Sequence, residues 1–421
     1  MPEYLISTHP DLDQVRRQAK ELLKAFRAGE PDAAALFAAH LPGVDPASVK
    51  LADAQHVIAG LNQAKTWERV VQACQLTWAI RDDDLTTVRR MIGEHPNLLH
   101  EPALIRPNSS WGPPMSYAAN LGRDRIIQAL HEMGAKDLGK ALDRAVLQSR
   151  IETARLLHRL MGKPRAPTQL LVNAAYTLSV EGTAFALEIG APVVDDNGAR
   201  LVPVCIALET DSRNPSAKSA IMEMYVAHGL RLPDTAPMAV HRGRIDLLEA
   251  HLARDPDLLT RTFAFEEIYP PELGCHDEVM ATHGTPLGGA TLLHMAIDYD
   301  ETDIVRWLLD KGMPVDTRAV VDPDGFGGHT ALFSTVVSQP NARMNQRKGP
   351  YVAPMTQLLL NRGADPNARA SLRKQMHPGY GPDTLHEYRD VTPLGWGQRF
   401  HFRGLVSEPA MDLIAAAGGR L

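Results

Sequence analysis

The chain of 421 residues repeats short apolar stripes of helical period, each broken by a polar turn. Between Leu12 and Gly29, the residues Leu12, Val15, Ala19, Leu22, Leu23 and Phe26 fall on one helical face, with charged residues on the other. Gly29 and Pro31 close this stripe. Further helices are predicted at about 32–40 and about 48–60, and Thr66 is placed to open a fourth.

Beyond residue 70 the stripes come in pairs. The clearest is Thr291-Leu-Leu-His-Met-Ala296 followed by Asp303-Ile-Val-Arg-Trp-Leu-Leu-Asp-Lys-Gly312. The spacing predicts two helices packed side by side, with Ala296 where their backbones approach. Gly312 ends the second helix because the chain there needs positive φ. From Thr291 to Gly312 is 21 positions, and the same 21 separates Pro113 from Gly134 and Gln169 from Gly190. Counting 21 from Cys74 and from Asp234 reaches His95 and Asp255, which open the matching texts His-Pro-Asn-Leu-Leu and Asp-Pro-Asp-Leu-Leu. Lys140 opens a weaker copy, with Gly162 one residue late.

The hexad Thr291–Ala296, the Val-x-x-Leu-Leu second helix and Gly363-Ala-Asp-Pro-Asn367 resemble the ankyrin repeat: T-P-L-H-x-A, a second helix, then a Gly-Ala-Asp-x-Asn turn. Thr392-Pro-Leu starts a last copy. The resemblance implies an all-α solenoid of about nine helix-turn-helix units, beginning near 74, 113, 140, 169, 202, 234, 291, 330 and 392. The stretch Arg17-Gln-Ala-Lys-Glu-Leu-Leu23, with Lys50-Leu-Ala-Asp-Ala-Gln55, resembles the front end of bacterial ankyrin-repeat proteins. It implies a helical N-terminal cap over 1–70 and a repeat domain over 71–421. Such a cap covers an apolar face that the first repeat would otherwise expose.

Several intervals exceed the usual repeat of about 33 residues. The excess predicts long inserts near 263–290, 338–353 and 366–391. The first is acidic, with Glu266, Glu267, Glu272, Asp277 and Glu278. The last mixes Arg369, Arg373, Lys374 and Arg389 with Asp383, Glu387 and Asp390. Loops of this length are usually functional or disordered, and inserts in repeat proteins often map to the binding face.

Charge and cysteine usage narrow the function. A net charge of −6 offers nothing to a phosphate backbone, so nucleic acid is not expected as a partner. Cys74, Cys205 and Cys275 lie far apart, which argues for a reducing compartment. The sequence opens without a basic and apolar leader, and no apolar run approaches a membrane span, so a cytoplasmic location and no membrane partner are expected.

The resemblance implies binding of another protein along a concave groove and its finger loops, with no cofactor. Tyr, Trp and Arg dominate interface hot spots, which selects Trp111, Tyr269, Arg347, Arg373, Tyr380, Tyr388 and Trp396 as anchors. The alternative is an enzyme pocket formed where the inserts bring His283, His377, His386, Glu387 and His401 together, near Trp396. No metal site is expected: His276, Asp277 and His283, beside Cys275, do not have the spacing of a closed zinc site. His294, in the hexad, reads as a structural histidine, and Asp322-Pro-Asp-Gly325 as a finger turn.

Overall fold

A computed structural model describes residues 4–202, 204–210, 214–340, 352–377 and 384–421. Contacts divide the chain into two compact units, 1–165 and 166–421.

The first unit opens with α1 (Leu12–Arg27), α2 (Pro31–His40) and α3 (Leu51–Leu61). Asp11 caps α1 by accepting from the Asp13 and Gln14 amides. The predicted stripe faces inward at Val15, Ala19, Leu22 and Phe26, and Phe26 stacks on Phe37 of α2 at 3.9 Å. Asn62 is fully buried and ties down the start of the chain, accepting from the Ile6 amide and donating to the Tyr4 carbonyl.

Helix pairs follow: α4 (Trp67–Arg81) with α5 (Leu85–Glu94), α6 (Pro114–Leu121) with α7 (Asp124–Glu132), and α8 (Leu138–Leu147) with α9 (Ile151–Leu160). The first helices α4, α6 and α8 stack on one another, and α5 stacks on α7. The second unit continues the scheme. It holds α10 (Gln169–Tyr176) with α11 (Val180–Glu188), α12 (Cys205–Glu209) with α13 (Pro215–Ala227), and α14 (Ala236–His241) with α15 (Ile245–Arg254). Two short helices, α16 (Phe265–Ile268) and α17 (Glu278–Ala281), precede the pair α18 (Leu292–Asp298) and α19 (Thr302–Asp310). The last pairs are α20 (Ala331–Val336) with α21 (Pro354–Asn361), and α22 (Pro393–Arg399) with α23 (Glu408–Ala416).

One closure recurs between the helices of a pair. Asp83, Gly122, Ser149, Leu178, Gly243 and Asp300 all have positive φ. In each case the next amide returns to the carbonyl of a buried alanine five residues back: Ala79, Ala118, Ala145, Ala174, Ala239 and Ala296, at 2.8–3.1 Å. The alanines are those closing the predicted hexads. A larger side chain there would hold the two helices apart. Second helices also end alike. Gly134, Gly190 and Gly312 have positive φ, and the following amide returns five residues back. The paired texts at His95 and Asp255 become the same structure: each ends a second helix and leads into a 3₁₀ turn, Pro96–Leu99 and Pro256–Leu259.

The segments between 263 and 290 and between 366 and 391 add to this helical plan. The first folds into α16, α17 and a 3₁₀ turn, burying Ile268, Tyr269, Leu273 and Leu287. The second forms an antiparallel hairpin, β1 (Ala370–Lys374) with β2 (His386–Val391), so the all-helical expectation gains a strand pair. The region near 338–353 lies largely outside the described residues, Arg347 with it, and so does Tyr380.

Candidate functional site

Three successive loops of the second unit are joined edge to edge. The first closes where the Phe263 amide donates to the Ala290 carbonyl at 2.8 Å. Its Gly289 carbonyl accepts from the Val320 amide of the second loop at 2.9 Å. The second loop is a narrow finger that pairs Arg318 with Thr330 and Val321 with Gly327. The Gly327 amide then donates to the Ser371 carbonyl of β1 at 2.6 Å. The fingers thus form one hydrogen-bonded ribbon. Gly327 is indispensable to it, because its φ is +115° and a Cβ there would lie 1.9 Å from the Val320 carbonyl oxygen. Gly327→Ala is expected to cost at least about 2 kcal/mol. Gly134→Ala, at a similar φ but with open space around it, should cost about 1 kcal/mol from backbone strain alone. Urea denaturation of both variants checks the difference.

The ribbon exposes adjacent apolar residues, Val320 at 51% and Val321 at 58%. Beside them Phe326 is covered by two guanidinium groups, Arg373 at 5.0 Å and Arg389 at 4.3 Å from its ring centroid. Arg373 also grips Asp322 at 2.7 Å and Asp324 at 3.0 Å. These carboxylates hold the Arg373 guanidinium above its ordinary pKa. A pocket of about 300 Å³ opens among the three loops, with Glu278, Val320, Phe326, His329, Leu372 and Arg373 in its wall.

The histidines proposed to converge do gather in this unit, but as packing. His283 is buried, and its Nδ1 accepts from Gln339 Nε2 at 2.9 Å. His377 meets its ring edge-on at 6.1 Å. His386 stacks on His401 at 3.9 Å. Tyr388 Oη accepts from the His401 amide and donates to His401 Nδ1 at 2.6 Å. Burial first, then His386 and Lys374, press the His401 pKa down to about 4, so the ring is neutral at pH 7. Glu387 is exposed and pairs with Arg389. Lys374 is the member that the sequence reading passed over. Strand alternation places it on the inner face with Ala370 and Leu372, and its Nζ donates to Thr282 Oγ1 at 3.1 Å. Burial lowers its pKa, while Glu278 and Asp298 oppose the drop.

Three proposed anchors are corrected by burial. Tyr269, Tyr388 and Trp396 are 1%, 4% and 0% exposed, so none presents its ring to a partner. Tyr269 shares a hydroxyl contact with Tyr299 at 2.5 Å. Trp396 donates to Thr285 Oγ1 at 3.0 Å and packs edge-on against Tyr388 and Phe400. Large aromatic side chains serve cores and interfaces equally well, and composition alone does not separate the two. Trp111 is half-buried against Tyr117 in the first unit, and Arg373 is partly exposed on the ribbon. The weak metal candidates also part company. His276 pairs with Glu209 at 2.7 Å, Asp277 caps α17, and His283 is held by Gln339. Among the described residues no group of three or more His, Cys, Asp or Glu is placed to hold a metal ion.

Residues missed by the sequence reading are Val320, Val321 and Phe326. Their signal was an apolar pair directly before a recognised turn.

The six matching closures and the stacked first helices define a paired-helix repeat protein. Residues 288–317, which span α18 and α19, match the ankyrin repeat family. No curated protein matches the chain. Among solved structures, the human ASB11 ankyrin repeat domain is 16% identical, with 73% of this chain and 99% of that one covered at a TM-score of 0.26. The ankyrin repeat domain of Bcl-3, a member of the IkappaB protein family, is 14% identical, with 81% and 97% covered at a TM-score of 0.21. Among the described residues no helix is long and apolar enough to cross a membrane.

Proposed function

We propose that the protein is an interaction module that binds another protein through its finger ribbon and the adjoining groove. The ankyrin match at 288–317 supports an interaction role in general. The observation that carries the finer reading is the exposed pair Val320 and Val321 on a ribbon fixed by backbone hydrogen bonds. A fixed apolar surface loses little conformational freedom on binding, so more of its contact energy appears as affinity. Arg373 flanks the valines, and Trp111 is a second contact on the first unit. In this reading the nine helix pairs found after α3 among the described residues are all ankyrin units, residues 1–70 are their cap, and the protein works in the cytoplasm.

Val320→Asp with Val321→Asp tests it. Both side chains are exposed, so the fold should persist. Quantitative affinity capture followed by mass spectrometry should show specific partners depleted about tenfold or more, as expected when charge is forced into an apolar contact. Unchanged recovery by the folded double variant would sink the finger reading.

A further inference from the structure

We infer that Cys205 and Cys275 are a redox pair, which a small disulfide oxidises to a bond that straps the 263–290 insert to α12.

Cys74 belongs to the first unit, and Cys205 and Cys275 both belong to the second. Contacts on either side of Cys275 pin it to the segment around Cys205. Arg200, shortly before α12, lies against Gly274, where a Cβ would stand 3.2 Å from Arg200 Nη2. Glu209, the last residue of α12, accepts from the His276 amide at 2.5 Å and lies 2.7 Å from His276 Nδ1. Cys275 is therefore held between two residues that bracket Cys205 in the chain. Cys205 opens α12 and Glu209 stands four positions on, so both lie on one helix face, a single turn apart. The electrostatics agree. Arg200 and Glu209 act on both thiols, and Cys205 acts on Cys275.

Exposure assigns the roles. Cys205 is buried and Cys275 is half-buried, so Cys275 is the thiol that solvent reaches. A surface pocket of about 330 Å³ includes Arg200, Arg231, Glu272 and Leu273 in its wall. Its two guanidinium groups outnumber the one carboxylate, which suits an anionic oxidant such as glutathione disulfide. Cys275 gives its proton to solvent, and its sulfur attacks one sulfur of that disulfide. One glutathione leaves as a thiolate and takes up a proton. Cys205, deprotonated in turn, attacks the Cys275 sulfur, forms the protein S–S bond and expels the second glutathione. Two protein thiols are oxidised, and one glutathione disulfide is reduced to two thiols. Burial first, then Glu209, push both protein thiols up, so they rest protonated at pH 7 and exchange is slow. In a reducing compartment the dithiol form persists, and the bond closes only under oxidant.

The test incubates the full chain with glutathione disulfide at about pH 8.5, where more thiolate forms. The reaction is quenched in acid, which stops exchange, and the protein is digested with pepsin for mass spectrometry. A Cys205–Cys275 peptide pair is expected, two hydrogens lighter than its parts, with Cys74 still a thiol. A disulfide forms only between α-carbons about 4.4–6.8 Å apart, so this peptide is a strict test of the juxtaposition. Cys205→Ser should stop at the mixed disulfide, with glutathione on Cys275. Cys275→Ser should leave Cys205 a thiol. Circular dichroism checks that both variants fold, and the peptide map of the parent decides even where one does not. A parent protein that keeps both thiols, carries glutathione on Cys275 without the internal bond, or links Cys275 to a second copy would overturn the inference.

Discussion

Trp396→Ala is expected to destabilise the protein by about 3–5 kcal/mol, the cost of emptying a large aromatic site in a packed core. The side chain is 0% exposed. It lies 4.8 Å from the rings of both Tyr388 and Phe400, at 88° and 68° to them. Its indole N–H also donates to Thr285 Oγ1, which passes a hydrogen bond to the Val337 carbonyl at 2.8 Å. One residue thus joins α22, the hairpin, the loop before α18 and the end of α20. Trp396→Phe should keep most of the packing and lose only about 1 kcal/mol with the indole donor. Urea unfolding of the three proteins decides the matter. A Trp396→Ala midpoint equal to the parent would mean that the ring stands outside the core.

Acid should weaken the second unit well before general carboxylate protonation. His294 Nδ1 accepts from Thr291 Oγ1 at 2.9 Å, and its Nε2 donates to the His329 carbonyl at 3.1 Å. Both rings are buried and neutral, with burial pressing His294 down to about 3 and His329 to about 4. An unfolded imidazole protonates near 6.5. The unfolded chain therefore takes up protons first as pH falls. Stability is level above about pH 6.5 and declines from there toward pH 4, by about 3 kcal/mol for each histidine at the lower limit. Urea midpoints at pH 7.5, 6.5, 5.5 and 4.5 should fall accordingly. His294→Gln with His329→Gln should be less stable at pH 7.5 and show a much flatter slope. A parent midpoint that holds steady from pH 7.5 to 4.5 would refute the neutral, buried assignment.

The repeat plan was readable because it rests on spacing. Alanine suits the place where two helices touch, and glycine is the favoured end of a helix that turns left-handed, so Ala296 and Gly312 mark their unit. The left-handed residue between the helices was not readable. Asp83, Ser149, Leu178 and Asp300 adopt it as well as Gly122 and Gly243, at a cost in strain that glycine avoids. The closing hydrogen bond to the alanine carbonyl accompanies it in every case, with glycine and non-glycine residues alike. The inserts were located by excess length, but their fate depended on contacts between distant segments. Nothing local separates a buried Tyr388 from an exposed one. Lys374 lies in a charged stretch, and only its pairing with His386 turns it inward.

The ribbon of fingers also has a last strand. Among the described residues β2 pairs with β1 and with no strand beyond it. Unsatisfied backbone groups on such a border invite addition of a strand from a neighbouring chain, the first step of many aggregates. Here Glu387, Arg389 and Asp390 stand exposed along it, and Arg369 clamps Asp390, whose φ of +50° bends the strand out of line. Charge and a bent backbone both discourage a flat intermolecular pairing, so the hairpin that completes the ribbon also guards its own open edge.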